Sequence, residues 1–119
     1  IPKKPAHEIA YEQLEALKAK NYIALNKIKE YYTEVSDIIR RYLENRFKLR
    51  APEMTTEEFL ILARDASELI SEHKNLLREF LLGCDLVKFA KYAPSVDEIN
   101  SVLDSAKHFI GQTKENEPA

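Results

Sequence analysis

The sequence predicts an all-α fold: a single compact bundle of about five helices built around one long central helix. Three observations lead to this prediction. The 119-residue chain contains only two glycines, and its many Glu, Lys, Leu and Ala residues favour helices over strands. Apolar residues recur at steps of three and four, which is the helical period. The length is typical of one domain and is sufficient to bury a core without disulfides or metals.

The central helix is predicted over residues 26–47, with a start as early as Ile23 left open. At 1.5 Å per residue it measures about 33 Å, roughly the width of a small domain. Its apolar side chains share one face, which other helices have to cover. That face consists of Ile28, Tyr31, Tyr32, Val35, Ile38, Ile39, Tyr42 and Leu43.

Two further helices flank the central one along the chain. The first is predicted from Ala6 to about Lys18, followed by a short connection at residues 21–22, and such brevity implies an antiparallel neighbour. The third begins after Thr55, which forms a capping box with Glu58, and it extends to about residue 65. Met54 and Phe59 occupy the two positions of a hydrophobic staple at the same helix start.

The fourth helix is predicted to begin at a Ser71 cap and to end near Gly83, a plausible residue just past a helix C-terminus. Asp85 would then cap one or two further turns through residue 92, and a continuous helix through Gly83 is the alternative. The last helix opens with a capping box of Ser95 and Glu98. It ends near Gly111 and carries an apolar stripe as regular as that of the central helix, so we expect these two helices to pack together.

The predicted organisation is therefore an extended basic linker over residues 1–5, a helical bundle over residues 6–111 and a disordered tail over residues 112–119. Pro2 and Pro5 disfavour a helix in the linker. Lys3 and Lys4 fit either a solvated terminus or the cytoplasmic flank of a transmembrane helix. The chain begins with Ile1 rather than Met, which indicates a fragment or a processed product.

The sequence contains no recognisable arrangement of catalytic or metal-ligating residues. His7, His73 and His108 lie in different segments without zinc-ligand spacing. Cys84 is the single cysteine and lies within an apolar run, where a thiol is usually a small core residue. There is no glycine-rich phosphate loop. We therefore expect no enzymatic activity, no metal and no cofactor.

One stretch interleaves basic and aromatic residues, from Asp85 to Tyr92. In one interpretation Phe89 and Tyr92 are half-buried while two lysines extend into water. In the other the stretch is a docking surface, because exposed aromatic residues beside cations favour partner contacts. The pattern leaves open whether the aromatic rings belong to the core or to an interface. With a basic pair on the central helix, the candidate partner-binding residues are Arg40, Arg41, Lys88, Lys91 and Tyr92.

A family resemblance rests on four segments: PAHEIA at 5–10, RRYLENRF at 40–47, MTTEEF at 54–59 and DLVKFAKYAPS at 85–95. With these segments, the chain resembles the cytoplasmic helical region of membrane-anchored bacterial proteins from Bat-like aerotolerance operons. Those proteins are encoded beside MoxR-type AAA ATPases and von Willebrand A-domain proteins. In that family a transmembrane helix precedes the helical region, so the resemblance implies a location at the cytoplasmic face of the inner membrane.

The resemblance implies an adaptor that holds a soluble partner near the membrane and has no catalytic residues. The expected partner is a MoxR-type ATPase or a von Willebrand A-domain protein, and no small-molecule substrate is expected. The alternative is a helical nucleic-acid-binding or regulatory module, because the short third helix followed by another imitates a helix-turn-helix. The formal net charge of −2 and the acidic start of the third helix disfavour nucleic acid as a partner.

Overall fold

The computed structural model describes residues 4–48, 54–67 and 69–115. The predicted all-α class is confirmed, since these residues form five helices and no strand. Predictions for residues 1–3 of the linker and for residues 116–119 of the tail lie outside the described ranges. The helices are α1 (Ala6–Ala19), α2 (Ile28–Phe47), α3 (Thr56–Arg64), α4 (Ser71–Phe89) and α5 (Val96–Thr113).

Helix α2 packs against α1, α4 and α5, and its predicted apolar face is buried except for the partly exposed Ile28. The expected contact between α2 and α5 is confirmed. The ring of Tyr42 meets that of Phe109 edge-on, with centroids 6.5 Å apart. The Tyr42 hydroxyl also lies 2.8 Å from the Oγ1 of Thr113 inside the core. The ring contact buries apolar surface, and the contact with Thr113 gives the buried hydroxyl a hydrogen-bond partner.

Both capping boxes are present as predicted. The Thr55 Oγ1 accepts a 3.1 Å hydrogen bond from the Glu58 backbone N–H, and the Thr55 N–H donates to the Glu58 carboxylate at 3.3 Å. Ser95 and Glu98 form the same pair of bonds at 3.1 and 2.9 Å. Each box satisfies two backbone donors that have no partner within the helix, so the starts of α3 and α5 are well determined.

The connection between α1 and α2 is longer than predicted, and α2 begins only at Ile28. Asn21 and Asn26 adopt left-handed backbone conformations, with φ of 60° and 59°. Between them the chain forms a separate turn, in which the Lys27 N–H donates to the Tyr22 carbonyl at 2.8 Å. Asparagine tolerates the left-handed region better than most residues, which is why the helix does not extend back to residue 23 or 26.

Helix α4 is continuous, so the alternative prediction for this segment is correct and the predicted break is wrong. Gly83 lies inside the helix without a positive φ, and Asp85 caps nothing. The predicted serine cap is also wrong, because Ser71 is the first helical residue and the N-cap is Ile70, whose side chain makes no capping bond.

Helix α5 extends two residues beyond the predicted end at Gly111. Thr113 is buried, and its Oγ1 donates to the Phe109 carbonyl at 2.9 Å. Arg46 of α2 donates to the Thr113 carbonyl at 3.0 Å. These contacts keep residues 112–113 helical, although the sequence assigned them to the disordered tail.

Candidate interaction surface

A groove of about 960 Å³ lies between α3 and α4, with Arg40 of α2 at its edge; we call it the α3–α4 groove. Three large apolar residues that line it remain exposed. Ile61 is 50% exposed, Leu82 is 41% exposed and Phe89 is 74% exposed. Single exposed apolar residues are normal on a soluble protein, whereas a set of them that lines one groove is typical of an interaction site.

The period of α4 explains why these residues are exposed. Leu82 and Phe89 are seven residues apart, which is about two helical turns, so they share one face. The opposite face carries Leu81 and Cys84, which are buried in the core. Leu82 lies about 100° around the helix from Leu81 and is 41% exposed, whereas Leu81 is fully buried.

The charged side chains in the described lining of the α3–α4 groove are predominantly basic. The Nζ of Lys74 donates to the Arg64 carbonyl at 2.5 Å and so joins the first turn of α4 to the end of α3. The Oδ1 of Asp85 is buried without a hydrogen-bond partner among the described residues, and its nearest cation is 4.0 Å away. Within the described ranges, five cations and two carboxylates line the groove: Arg40, Arg64, Lys74, Arg78 and Lys88, with Glu57 and Asp85.

Arg40, one of the residues predicted to bind a partner, has a structural contact of its own. Its guanidinium donates a hydrogen bond to the Met54 carbonyl. The same group lies over the ring of Phe59, 5.1 Å from its centroid. Arg40 is only half-buried, so it lines the groove while it holds the start of α3 against α2.

One interpretation of the sequence placed Phe89 half-buried and Lys88 in water. The structure shows the reverse for these two residues. The Lys88 side chain is only 9% exposed, and its Nζ lies 4.0 Å from the Asp85 carboxylate. The same ammonium lies 5.0 Å from the centroid of the Phe89 ring. Phe89 itself extends into solvent, which places this aromatic residue outside the core.

The remaining predicted residues, unlike Arg40 and Lys88, do not line the α3–α4 groove. Arg41 and Lys91 are exposed and line neither of the two grooves on α4. Tyr92 is 44% exposed and lines a second groove, of about 640 Å³, between α4 and α5. We call this second site the α4–α5 groove. The five candidate residues therefore do not line a single groove.

The α4–α5 groove differs from the first in charge. Among the described residues, Glu79, Glu98 and Asp104 line it and no Lys or Arg does. The Tyr92 hydroxyl donates to the Glu98 carboxylate at 2.7 Å, and this bond raises the pKa of Tyr92. The pKa of Glu98 is lowered, first by the backbone N–H of Ser95 and then by the Tyr92 hydroxyl.

Sequence reasoning missed four residues of the α3–α4 groove: Ile61, Arg64, Arg78 and Leu82. A signal for Leu82 was present, because the apolar residues of α4 are too numerous for one buried face. Leu81 and Leu82 are adjacent, and Leu86 and Phe89 follow on the outer side. The two arginines gave no signal, since an isolated cation on a helix is most often solvated.

Elsewhere the potentially reactive groups are dispersed or covered. Burial raises the pKa of the Cys84 thiol to about 12, so the thiol stays protonated at neutral pH. Within the part of the chain that the structure describes, no group of three or more His, Cys, Asp or Glu side chains is arranged to hold a metal ion. His7 is buried against the ring of Tyr11, with centroids 6.2 Å apart.

Comparisons with models of protein families, with curated proteins and with solved structures found no match for this chain. The fold and the grooves define the class of protein: a small helical bundle in which α4 borders both the α3–α4 groove and the α4–α5 groove. Across the described ranges, none of the helices combines the length and the apolar character needed to cross a bilayer.

Proposed function

We propose that this chain is a non-catalytic protein-interaction domain that acts as an adaptor and docks a partner in the α3–α4 groove. One observation carries the proposal: Ile61, Leu82 and Phe89 line the same groove and remain exposed. Covering a side chain of this size contributes about 1.5–3 kcal/mol when its burial is complete. A partner that covers all three would gain enough hydrophobic free energy to offset part of the entropy cost of association.

The identity of the partner follows from the family resemblance. We propose that the domain belongs to a membrane-anchored protein, lies at the cytoplasmic face of the inner membrane, and docks a MoxR-type AAA ATPase or a von Willebrand A-domain protein. In support, three of the four segments that carry the resemblance contribute to the groove. Arg40 comes from the first of these, Met54 from the second and Phe89 from the third.

The test is capture of a purified MoxR-type ATPase, and separately of a von Willebrand A-domain protein, by the immobilised chain. Leu82→Ser removes an apolar anchor from the α3–α4 groove. Leu86→Ser is the matched control, because Leu86 is also an exposed leucine of α4, at 50%, but lines the other groove. We expect Leu82→Ser to weaken capture and Leu86→Ser to retain it, with circular dichroism confirming that both variants are folded.

Equal capture by the wild type and by both variants would refute docking in this groove. Capture of neither protein would refute the proposed partners.

A nucleic-acid-binding module remains the second candidate, because the cations of the α3–α4 groove favour phosphate as well as carboxylate. Glu57 and Asp85 line the same groove and oppose phosphate binding. Binding of random-sequence duplex DNA is measured by fluorescence anisotropy over a range of salt concentrations. Salt-dependent binding that disappears in the Arg64→Glu, Arg78→Glu double variant would replace the adaptor proposal with this one.

A further inference from the structure

We infer that the occupant of the α3–α4 groove is an acidic amphipathic helix of a partner protein. The inference rests on the proposed function and adds to it the chemistry of the segment that binds. It follows from the charge of the groove, from the position of its accessible cations and from its length.

The two grooves on either side of α4 carry charges of opposite sign. Among the described residues, five cations and two carboxylates line the α3–α4 groove, although the chain as a whole carries a formal net charge of −2. Among the described residues that line the α4–α5 groove there are three carboxylates and no Lys or Arg. Charge complementarity between surfaces selects partners, so the basic groove favours an acidic segment and the acidic groove disfavours it.

Two of the five cations are accessible to a partner's carboxylates. Arg78 is exposed, and the Arg64 side chain is 70% exposed. Among the described residues, the ion-pair contact of Arg64 is one of 3.6 Å to the exposed Asp65. Such a surface pair contributes little and is easily exchanged for a better partner. A guanidinium can bind a carboxylate through two parallel hydrogen bonds, which gives orientation as well as affinity.

The length of the groove accommodates a helix. Its lining on α4 extends from Ser71 to Phe89, which is about 27 Å at the helical rise. That length accommodates a helix of about 18 residues. An amphipathic helix inserts apolar anchors at positions i, i+4 and i+7, and anchors of this kind would cover the exposed Ile61, Leu82 and Phe89. The polar face of such a helix would then meet Arg64 and Arg78.

The experiment measures binding of two labelled synthetic peptides of about 18 residues by fluorescence anisotropy. Both carry Leu and Phe at i, i+4 and i+7; one has Glu at the remaining charged positions and the other has Lys. We expect the Glu peptide to bind at least about tenfold more tightly at low salt. The difference should shrink as added salt screens the exposed charges.

Charge-reversal variants locate the contact. Arg64→Glu with Arg78→Glu should abolish the preference for the Glu peptide. The matched control is Arg41→Glu with Lys91→Glu, which reverses two exposed cations outside both grooves and should leave the preference unchanged. Leu82→Ser should weaken both peptides, because it removes an apolar anchor that they share.

The outcomes separate this inference from the proposed function. If both peptides bind equally, or if the Lys peptide binds better, the acidic partner is refuted; loss of both on Leu82→Ser would still support docking in the groove. If neither peptide binds, the inference is refuted, and capture of the purified partners decides the proposed function separately. If light scattering shows a dimer that Leu82→Ser dissociates, a second copy of this chain occupies the groove and the inference is refuted.

Discussion

Replacing Gly83 with alanine tests whether α4 is one helix or two. Gly83 lies in the interior of α4, which extends without a break from Ser71 to Phe89. A Cβ atom placed on it would meet nothing within 4 Å. The substitution therefore changes the backbone preference of this position without a steric cost in the folded state.

The expected effect is a gain in stability. Alanine in a helix interior is favoured over glycine by about 0.5–1 kcal/mol, because glycine loses more conformational freedom on folding. For a domain of this size such a gain raises the Tm by about 2–4 °C. The opposite sign is expected if Gly83 ends a helix in the left-handed conformation, where an alanine Cβ costs roughly 1–2 kcal/mol.

The measurement is urea denaturation and thermal unfolding followed by far-UV circular dichroism. Gly111→Ala is the matched control: its Cβ would lie 3.6 Å from the Tyr11 hydroxyl oxygen, which is an ordinary contact. We expect a smaller gain there, since Gly111 is only two residues from the end of α5. A fall in the free energy of unfolding for Gly83→Ala would refute the continuous helix.

Three further predictions concern the core and the second groove. Tyr42→Phe removes the hydroxyl that lies 2.8 Å from the Thr113 Oγ1, and we expect it to lower the free energy of unfolding by about 1 kcal/mol in urea denaturation. Cys84, whose pKa is raised to about 12 by burial, should react with a thiol reagent only when urea unfolds the chain; rapid labelling of the native protein would contradict its burial. The pKa of Glu98 is lowered in the folded state, first by the Ser95 N–H, so its contribution is present above its ordinary value of 4.5 and is lost as the pH falls through the folded-state pKa. The free energy of unfolding of Glu98→Gln should therefore fall less steeply in acid than that of the wild type. If its pH dependence in acid is unchanged, the bond to Ser95 does not stabilise the fold.

The sequence predicted the starts of α1, α3 and α5 correctly, and those of α3 and α5 have reciprocal local signals. A capping box uses residues three positions apart, so Thr55 with Glu58 determines its helix start without help from the rest of the chain. The two glycines were misleading because a glycine in a helix interior costs only about 1 kcal/mol relative to alanine. Burial of neighbours such as Leu81 and Cys84 outweighs that cost.

The interaction surface was less predictable because it depends on tertiary packing. Periodicity indicates which residues share a helix face, but it does not say which part of that face a neighbouring helix covers. Lys88 and Phe89 illustrate the point: they are adjacent, yet the lysine side chain is 9% exposed and the phenylalanine is 74% exposed. The α3–α4 groove also combines residues from three helices, and no local pattern links Arg40 to Arg64 or Arg78.

The position of α4 between two grooves of opposite charge bears on specificity. Leu82 and Leu86 are one helical turn apart, are similarly exposed and line different grooves. Apolar surface alone would therefore not determine which of the two grooves a partner helix binds. Because an acidic helix is attracted by Arg64 and Arg78 and repelled by the carboxylates of the α4–α5 groove, discrimination comes from repulsion as well as attraction. It follows that reversing the charges of Arg64 and Arg78 should redirect binding more effectively than removing any single apolar anchor.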